Sequence, residues 1–128
     1  YLAVADDVRA AIDSPVQLVD GRSALQHRGL EKSQVVRLSG TVPTAVNIPH
    51  GDLYDGLSFA DSLVMARLTA GVELDPHLPV ITFCNTGHWA SIAWFAMSEI
   101  AGNPRTSMYD GSMAEWTLDE GNPVVVLN

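Results

Sequence analysis

A single cysteine, Cys84, stands among 128 residues. One cysteine closes no intramolecular disulfide and builds no Cys-rich metal site, so a functional thiol here acts through its reactivity. Positive charge is also scarce. Seven Lys and Arg face 15 Asp and Glu, a net charge of −8 at a pI near 4.6. A nucleic-acid binder needs a basic footprint to neutralise phosphates, and this chain has no basic run. An anionic membrane surface repels it for the same reason. An anionic substrate must therefore be held by a local device against the global field. No stretch approaches the ~20 apolar residues of a membrane span. No charged segment followed by an apolar run marks an export signal, so cytoplasm is the expected compartment. The chain begins at Tyr1 rather than Met, as a processed or excised piece would.

Hydrophobic residues make up 47% and charged residues 17%, too apolar a balance for a disordered chain. The length fits one domain with one core, residues 1–128, standing alone or excised from a tandem-domain protein. Short apolar runs alternate with helical stretches and no repeat is visible, which predicts an α/β domain with a largely parallel sheet. Helices are expected over Asp6–Ile12, Ser23–Arg28, Phe59–Ala70 and His88–Ile100. In the third, Phe59, Leu63, Ala66 and Ala70 share one face. Strands are expected at Val16–Asp20, Ala45–Ile48, Val80–Phe83 and Thr106–Tyr109. Val124–Leu127 is an edge strand or an extended tail, and Glu31–Gly40 is a loop.

The chemistry concentrates in Leu78–Ala96, where a β-branched strand runs into Cys84, a short loop with Gly87, and a helix. Ligands of open α/β sheets bind beyond the carboxyl ends of the strands. The first turn of the following helix has N–H groups without intrahelical partners, and these, with the helix dipole, stabilise an anion. A sulfur placed there gains stabilisation of its charged form. Gly87 lets the backbone curl around it. Taken alone the segment also fits a small buried core cysteine.

Four motifs in order widen the reading. Leu18-Val19-Asp20-Gly21-Arg22 fits L-(V/I)-D-x-R, and Gly40 to Pro49 fits G-H-I-P-G-A-x-N-(I/V)-P, with Thr41 and Thr44 in place of His and Gly. Cys84-Asn85-Thr86-Gly87-His88-Trp89 fits a six-residue loop with cysteine first and glycine fourth. Tyr109 to Trp116 fits Y-D-G-S-x-x-E-W. With these, the chain resembles the rhodanese family of sulfurtransferases, most closely the catalytic second half of tandem rhodaneses. The resemblance covers Leu18 to Trp116, and Tyr1–Ser14 looks like the usual lead-in to a second unit.

The resemblance implies a rhodanese-like α/β fold, a central mostly parallel sheet of about five strands with helices on both faces. It implies a two-step transfer in which Cys84 takes a sulfane sulfur from a donor such as thiosulfate, holds it as a persulfide, and passes it to cyanide or a thiol. Backbone amides of Asn85, Thr86, Gly87, His88, Trp89 and Ala90 cradle the sulfur, with no metal or organic cofactor. Arg28 is the candidate for the substrate-anion arginine of two-domain members. The implied partners are a small sulfur donor and acceptor, a preceding rhodanese domain, or a thiol protein. Some family loops place basic residues after the cysteine; Asn85 and Thr86 are neutral. The Thr41 and Thr44 changes are expected to touch only a turn. Asp20 and Arg22 read as a structural pair, Asp110 and Ser112 as turn residues, and Trp116 as packing. His27, His50 and His77 are too scattered for a zinc site.

Two other functions remain to be weighed: a persulfide carrier or non-catalytic binding module, and a cysteine phosphatase or arsenate reductase. The latter need C-x5-R with an arginine clamping the oxyanion. Ala90 stands six residues beyond Cys84, and the next arginine is Arg105.

Overall fold

The computed structural model describes residues 2–127. Five parallel strands form one sheet in the order β1-β5-β4-β2-β3, with β1 Leu2–Ala3, β2 Gln17–Asp20, β3 Val46–Asn47, β4 Val80–Phe83 and β5 Thr106–Tyr109. The helices are α1 Ala5–Ala11, α2 Ala24–Arg28, α3 His50–Leu53, α4 Ser62–Gly71, α5 His88–Phe95 and α6 Ser112–Trp116. A wider π turn, Ala96–Ile100, continues α5.

β4 is central because its four residues, Val-Ile-Thr-Phe, are all buried, as a strand covered on both faces requires. Successive strand residues feed opposite faces. Leu18, Ile81, Phe83 and Tyr109 pack with Val8 and Ala11 of α1 and Met113 and Trp116 of α6. Val19 and Val80 pack with Leu53 of α3, Met65 of α4, Ala93 of α5, and Ala96 and Met97 beyond it. Helices therefore cover both faces, and the loops after β2, β3, β4 and β5 gather at the carboxyl edge.

The structure departs from the sequence expectations at several places. The fifth strand is Leu2–Ala3, which pairs with β5 and occupies that edge. Of the two alternatives for residues 124–127 the extended tail is found, bridged antiparallel to Thr41 at Val125 and hydrogen-bonded from the Leu127 N–H to the Arg28 carbonyl at 3.0 Å. α4 starts at Ser62, because the Asp61 side chain caps it by accepting from the Val64 N–H at 2.9 Å. Its buried residue is Met65, with Leu68 half-buried, whereas Leu63 is 61% exposed. Both rows are apolar, so periodicity alone did not choose between them. Phe59 lies outside the helix and packs on Tyr54 and Phe95 at 4.8 and 4.7 Å.

The two threonines of the second signature differ in consequence. Thr41 reaches beyond a turn: it is fully buried, and its hydroxyl donates to Asp20 Oδ2 at 2.9 Å. Thr44 is exposed at φ +70°. A β-branched residue in this left-handed region is strained by roughly 1–2 kcal/mol. Thr44→Gly removes that strain without losing buried contacts, so it should stabilise the fold by about 1 kcal/mol, a rise of a few degrees in the thermal midpoint. An unchanged or lowered midpoint in calorimetry contradicts this account.

Candidate active site

β4 ends at Phe83, in register with Asp20 of β2, so the chain leaves the middle of the sheet at Cys84. Cys84 is 1% exposed. Its peptide group is gripped from the start of α6. The Cys84 N–H donates to Ser112 Oγ at 2.9 Å, and the Met113 N–H donates to the Cys84 carbonyl at 2.9 Å. The Ala114 N–H donates to the Asn85 carbonyl at 2.9 Å. The first-turn donors of α6 thus find their acceptors in the Cys84 loop. Ser112 sits at φ +54° to do this, its hydroxyl donating to the Tyr109 carbonyl at 2.9 Å and lying 3.9 Å from Cys84 Sγ.

The loop then turns under the sulfur. Gly87, at φ +107°, directs its N–H to Cys84 Sγ at 3.0 Å. A Cβ at Gly87 would fall 2.5 Å from Asp110 Oδ1 and 2.8 Å from the Asp110 carbonyl oxygen, so only glycine fits. The first hydrogen bond of α5 runs from the Ser91 N–H to the Gly87 carbonyl at 3.0 Å. The N–H groups of His88, Trp89 and Ala90 therefore belong to the turn that has no intrahelical acceptor. Thr82 of β4 fixes this turn by donating its hydroxyl to the Ala90 carbonyl at 2.9 Å.

The expected site residues now have places. Asn85 is buried, and its Nδ2 donates to Gln26 Oε1 at 2.9 Å, while its Oδ1 is a buried acceptor without a protein donor. Thr86 and His88 are exposed, Ala90 is buried, and Trp89 is half-buried. Trp89 stacks on His50 with ring centroids 3.9 Å apart and planes 11° from parallel. Arg28 is exposed at the end of α2, with its Nε 3.4 Å from the Leu127 carbonyl. The α2 side chain that touches the loop is Gln26. Gln26 and His50 carried no signal in the sequence, because they meet the loop only through the packing of α2 and α3. Ser112 was visible as part of the last motif but was read only as a turn residue.

Beside the loop, the end of β2 holds a fully buried ion pair. Arg22 Nε and Nη2 donate to Asp20 Oδ1 and Oδ2 at 3.0 and 2.8 Å, and Nη2 also donates to the Gly40 carbonyl at 2.8 Å. His27 Nδ1 lies 3.0 Å from Asp20 Oδ2. Burial pushes the Asp20 carboxyl up, but the His27 hydrogen bond and the Arg22 guanidinium outweigh it and hold the group below the usual carboxylate value. Both members are buried and fully engaged with neighbouring groups. It anchors the strand end, the α2 entry and Thr41 together. Among the described residues no group of three or more His, Cys, Asp or Glu is placed to share a metal ion. No helix among them is long and apolar enough to cross a membrane.

A parallel sheet that delivers a lone cysteine from its central strand to the amides of a following helix defines a class of cysteine-loop α/β domains. The family profile described as Rhodanese-like domain matches residues 4–119, and this chain belongs to the rhodanese family. A provisionally named thiosulfate sulfurtransferase of Haloferax volcanii is 33% identical over 130 residues, covering 95% of this chain and 45% of the relative. Thiosulfate sulfurtransferase TUM1 of Saccharomyces cerevisiae is 33% identical over 112 residues, covering 80% of this chain and 36% of the relative. The crystal structure of the same yeast protein superposes with a TM-score of 0.83 at 24% identity, covering 99% of this chain and 46% of that one. An anaerobic ergothioneine biosynthesis enzyme from Chlorobium limicola shares the fold, with a TM-score of 0.88 at 23% identity over 100% of this chain and 32% of its own. The chain spans about half the length, or less, of these relatives.

Two variants test this geometry. Ser112→Ala leaves the buried Cys84 N–H without its acceptor and should lower stability by about 1–3 kcal/mol in denaturant unfolding; a neutral result removes Ser112 from the support of the loop. Asp20→Asn strips the buried Arg22 of its counter-charge and should cost about 3–5 kcal/mol at neutral pH. The folded Asp20 titrates below its unfolded value of about 3.9, so its contribution is complete above that value and is lost as pH falls through the folded one. The stability gap between wild type and Asp20→Asn should therefore close below about pH 4. A gap constant down to the acid transition contradicts the assignment.

Proposed function

We propose that this chain transfers a sulfane sulfur through Cys84. In the first half-reaction the Cys84 thiolate attacks the outer sulfur of a donor such as thiosulfate. The donor S–S bond breaks, sulfite leaves with the electron pair, and a Cys84 persulfide remains. In the second, cyanide or a thiolate attacks the outer sulfur and the Cys84 thiolate is restored as leaving group. Each step exchanges one bond to sulfur for another, so neither an oxidant nor a cofactor enters the balance.

The observation that carries this reading is the Gly87 N–H on Cys84 Sγ, with the unpaired first-turn amides of α5 beyond it. A persulfide adds a second anionic, soft sulfur about one bond length further out. The His88, Trp89 and Ala90 amides supply fixed dipoles for it, in addition to those at Asn85, Thr86 and Gly87. The names of the yeast and haloarchaeal relatives, both thiosulfate sulfurtransferases, support the same chemistry. Phosphate-ester hydrolysis lacks its arginine clamp in the loop. A thiol protein as the second-step acceptor makes the chain a sulfur carrier and leaves the first step unchanged.

Thiosulfate incubation should add the mass of one sulfur to the wild-type chain and none to Cys84→Ser. Steady-state transfer to cyanide should fall to the uncatalysed level in that variant. Equal turnover, or an adduct on another residue, overturns the proposal.

A further inference from the structure

An anionic donor has to approach a chain of net charge −8, and the loop from Cys84 to Trp89 has no Lys or Arg. Arg28 is engaged with the C-terminal tail. Imidazoles stand in that place. His50 opens α3 directly after Pro49, and its N–H donates to the Gly21 carbonyl at 3.0 Å, which pins it to the carboxyl end of β2. Its ring lies flat on the indole of Trp89, five residues beyond Cys84. The Trp89 carbonyl packs against Gly21, within 3.2 Å of where a Cβ would be. Strand end, helix start and catalytic loop thus converge on a parallel aromatic pair, with the exposed His88 next to it on α5.

We propose that His50 and His88, ordered by the Trp89 ring, form an anion subsite at the mouth of the Cys84 loop that takes the oxyanion end of a small sulfur donor as the imidazoles gain protons. This rests on the sulfur-transfer reading above. The surrounding groups define how the subsite behaves. Partial burial and then the proximity of His88 lower the His50 imidazole, and Asp52 on the same turn opposes them. Without an anion the two rings therefore resist being charged together. A bound dianion removes that repulsion, and protonation and anion binding then promote each other. An imidazolium on an indole face is further favoured by the ring quadrupole. Asp110 packs against Gly87 and is the carboxylate that an anion entering the loop has to avoid.

The test uses Cys84→Ser, which removes both the covalent step and the thiol titration. Thiosulfate binding is followed by calorimetry from about pH 8 to about pH 5.5, the range in which histidine charges. Affinity should tighten by about tenfold toward acid pH, the contribution of two partly exposed charges, with proton uptake on binding. Sulfate should compete with the same pH dependence. On the Cys84→Ser background, His50→Gln should reduce the change to about threefold or less, and adding His88→Gln should abolish it. His88 is exposed, so the single His88→Gln variant keeps the test valid if His50→Gln fails to fold. Undiminished pH dependence in the variants, or none in the parent, overturns the subsite. The one-sulfur adduct on wild type is read separately: an adduct with flat thiosulfate binding overturns the subsite alone, and no adduct overturns the sulfur-transfer reading on which it rests.

Discussion

The peptide of Cys84 is held at both ends by one turn of helix. Its N–H goes to the Ser112 hydroxyl and its carbonyl receives the Met113 N–H, so the residue after the central strand cannot rotate independently of the residue after β5. Two adjacent parallel strands end in elements that satisfy each other's backbone groups. The sulfur is left against the Gly87 amide, and the first turn of α5 stays free for a ligand. Ser112 holds a left-handed conformation to make this possible, a local cost offset by the buried bonds it closes.

A second constraint lies one strand over. Asp20 and Arg22 are buried together, and every donor around the carboxylate belongs to a different segment: Arg22 after β2, His27 in α2, Thr41 before β3. Arg22 extends the network to Gly40, against which the tail residue Val125 packs too closely for any side chain. The pair fixes α2, and Gln26 of α2 in turn holds Asn85. A charge network that never touches the sulfur thus sets the position of the residue following it. Removing one member leaves a buried charge unmatched.

The loop from Cys84 to Trp89 is neutral apart from His88, and it turns the Gly87 N–H toward the sulfur while His50 stacks on Trp89. Dipoles of this kind are fixed by the fold and need no counter-ion, which suits the alternation of thiolate and persulfide proposed above.

Much of this could be read from the order of residues. The all-apolar run of β4, the lone Cys84, Gly87 three places later and the absence of an arginine at position 90 are local features, and local features follow from chain chemistry. They pointed to the candidate nucleophile, the helix start behind it and the family. The two-residue strand at Leu2–Ala3 was not legible, because a strand that short has no period and exists only through pairing with β5. The buried face of α4 was ambiguous because two apolar rows compete and only the packing of Met65 and Leu68 against the core decides between them. Ser112 beneath the cysteine, Gln26 on Asn85, and His50 on Trp89 are contacts across 28, 59 and 39 positions of chain. Sequence fixed which groups could do the chemistry, through residue type and short spacing. Which groups surround them was decided only when the strand ends were brought side by side, because long-range packing has no imprint in neighbouring residues.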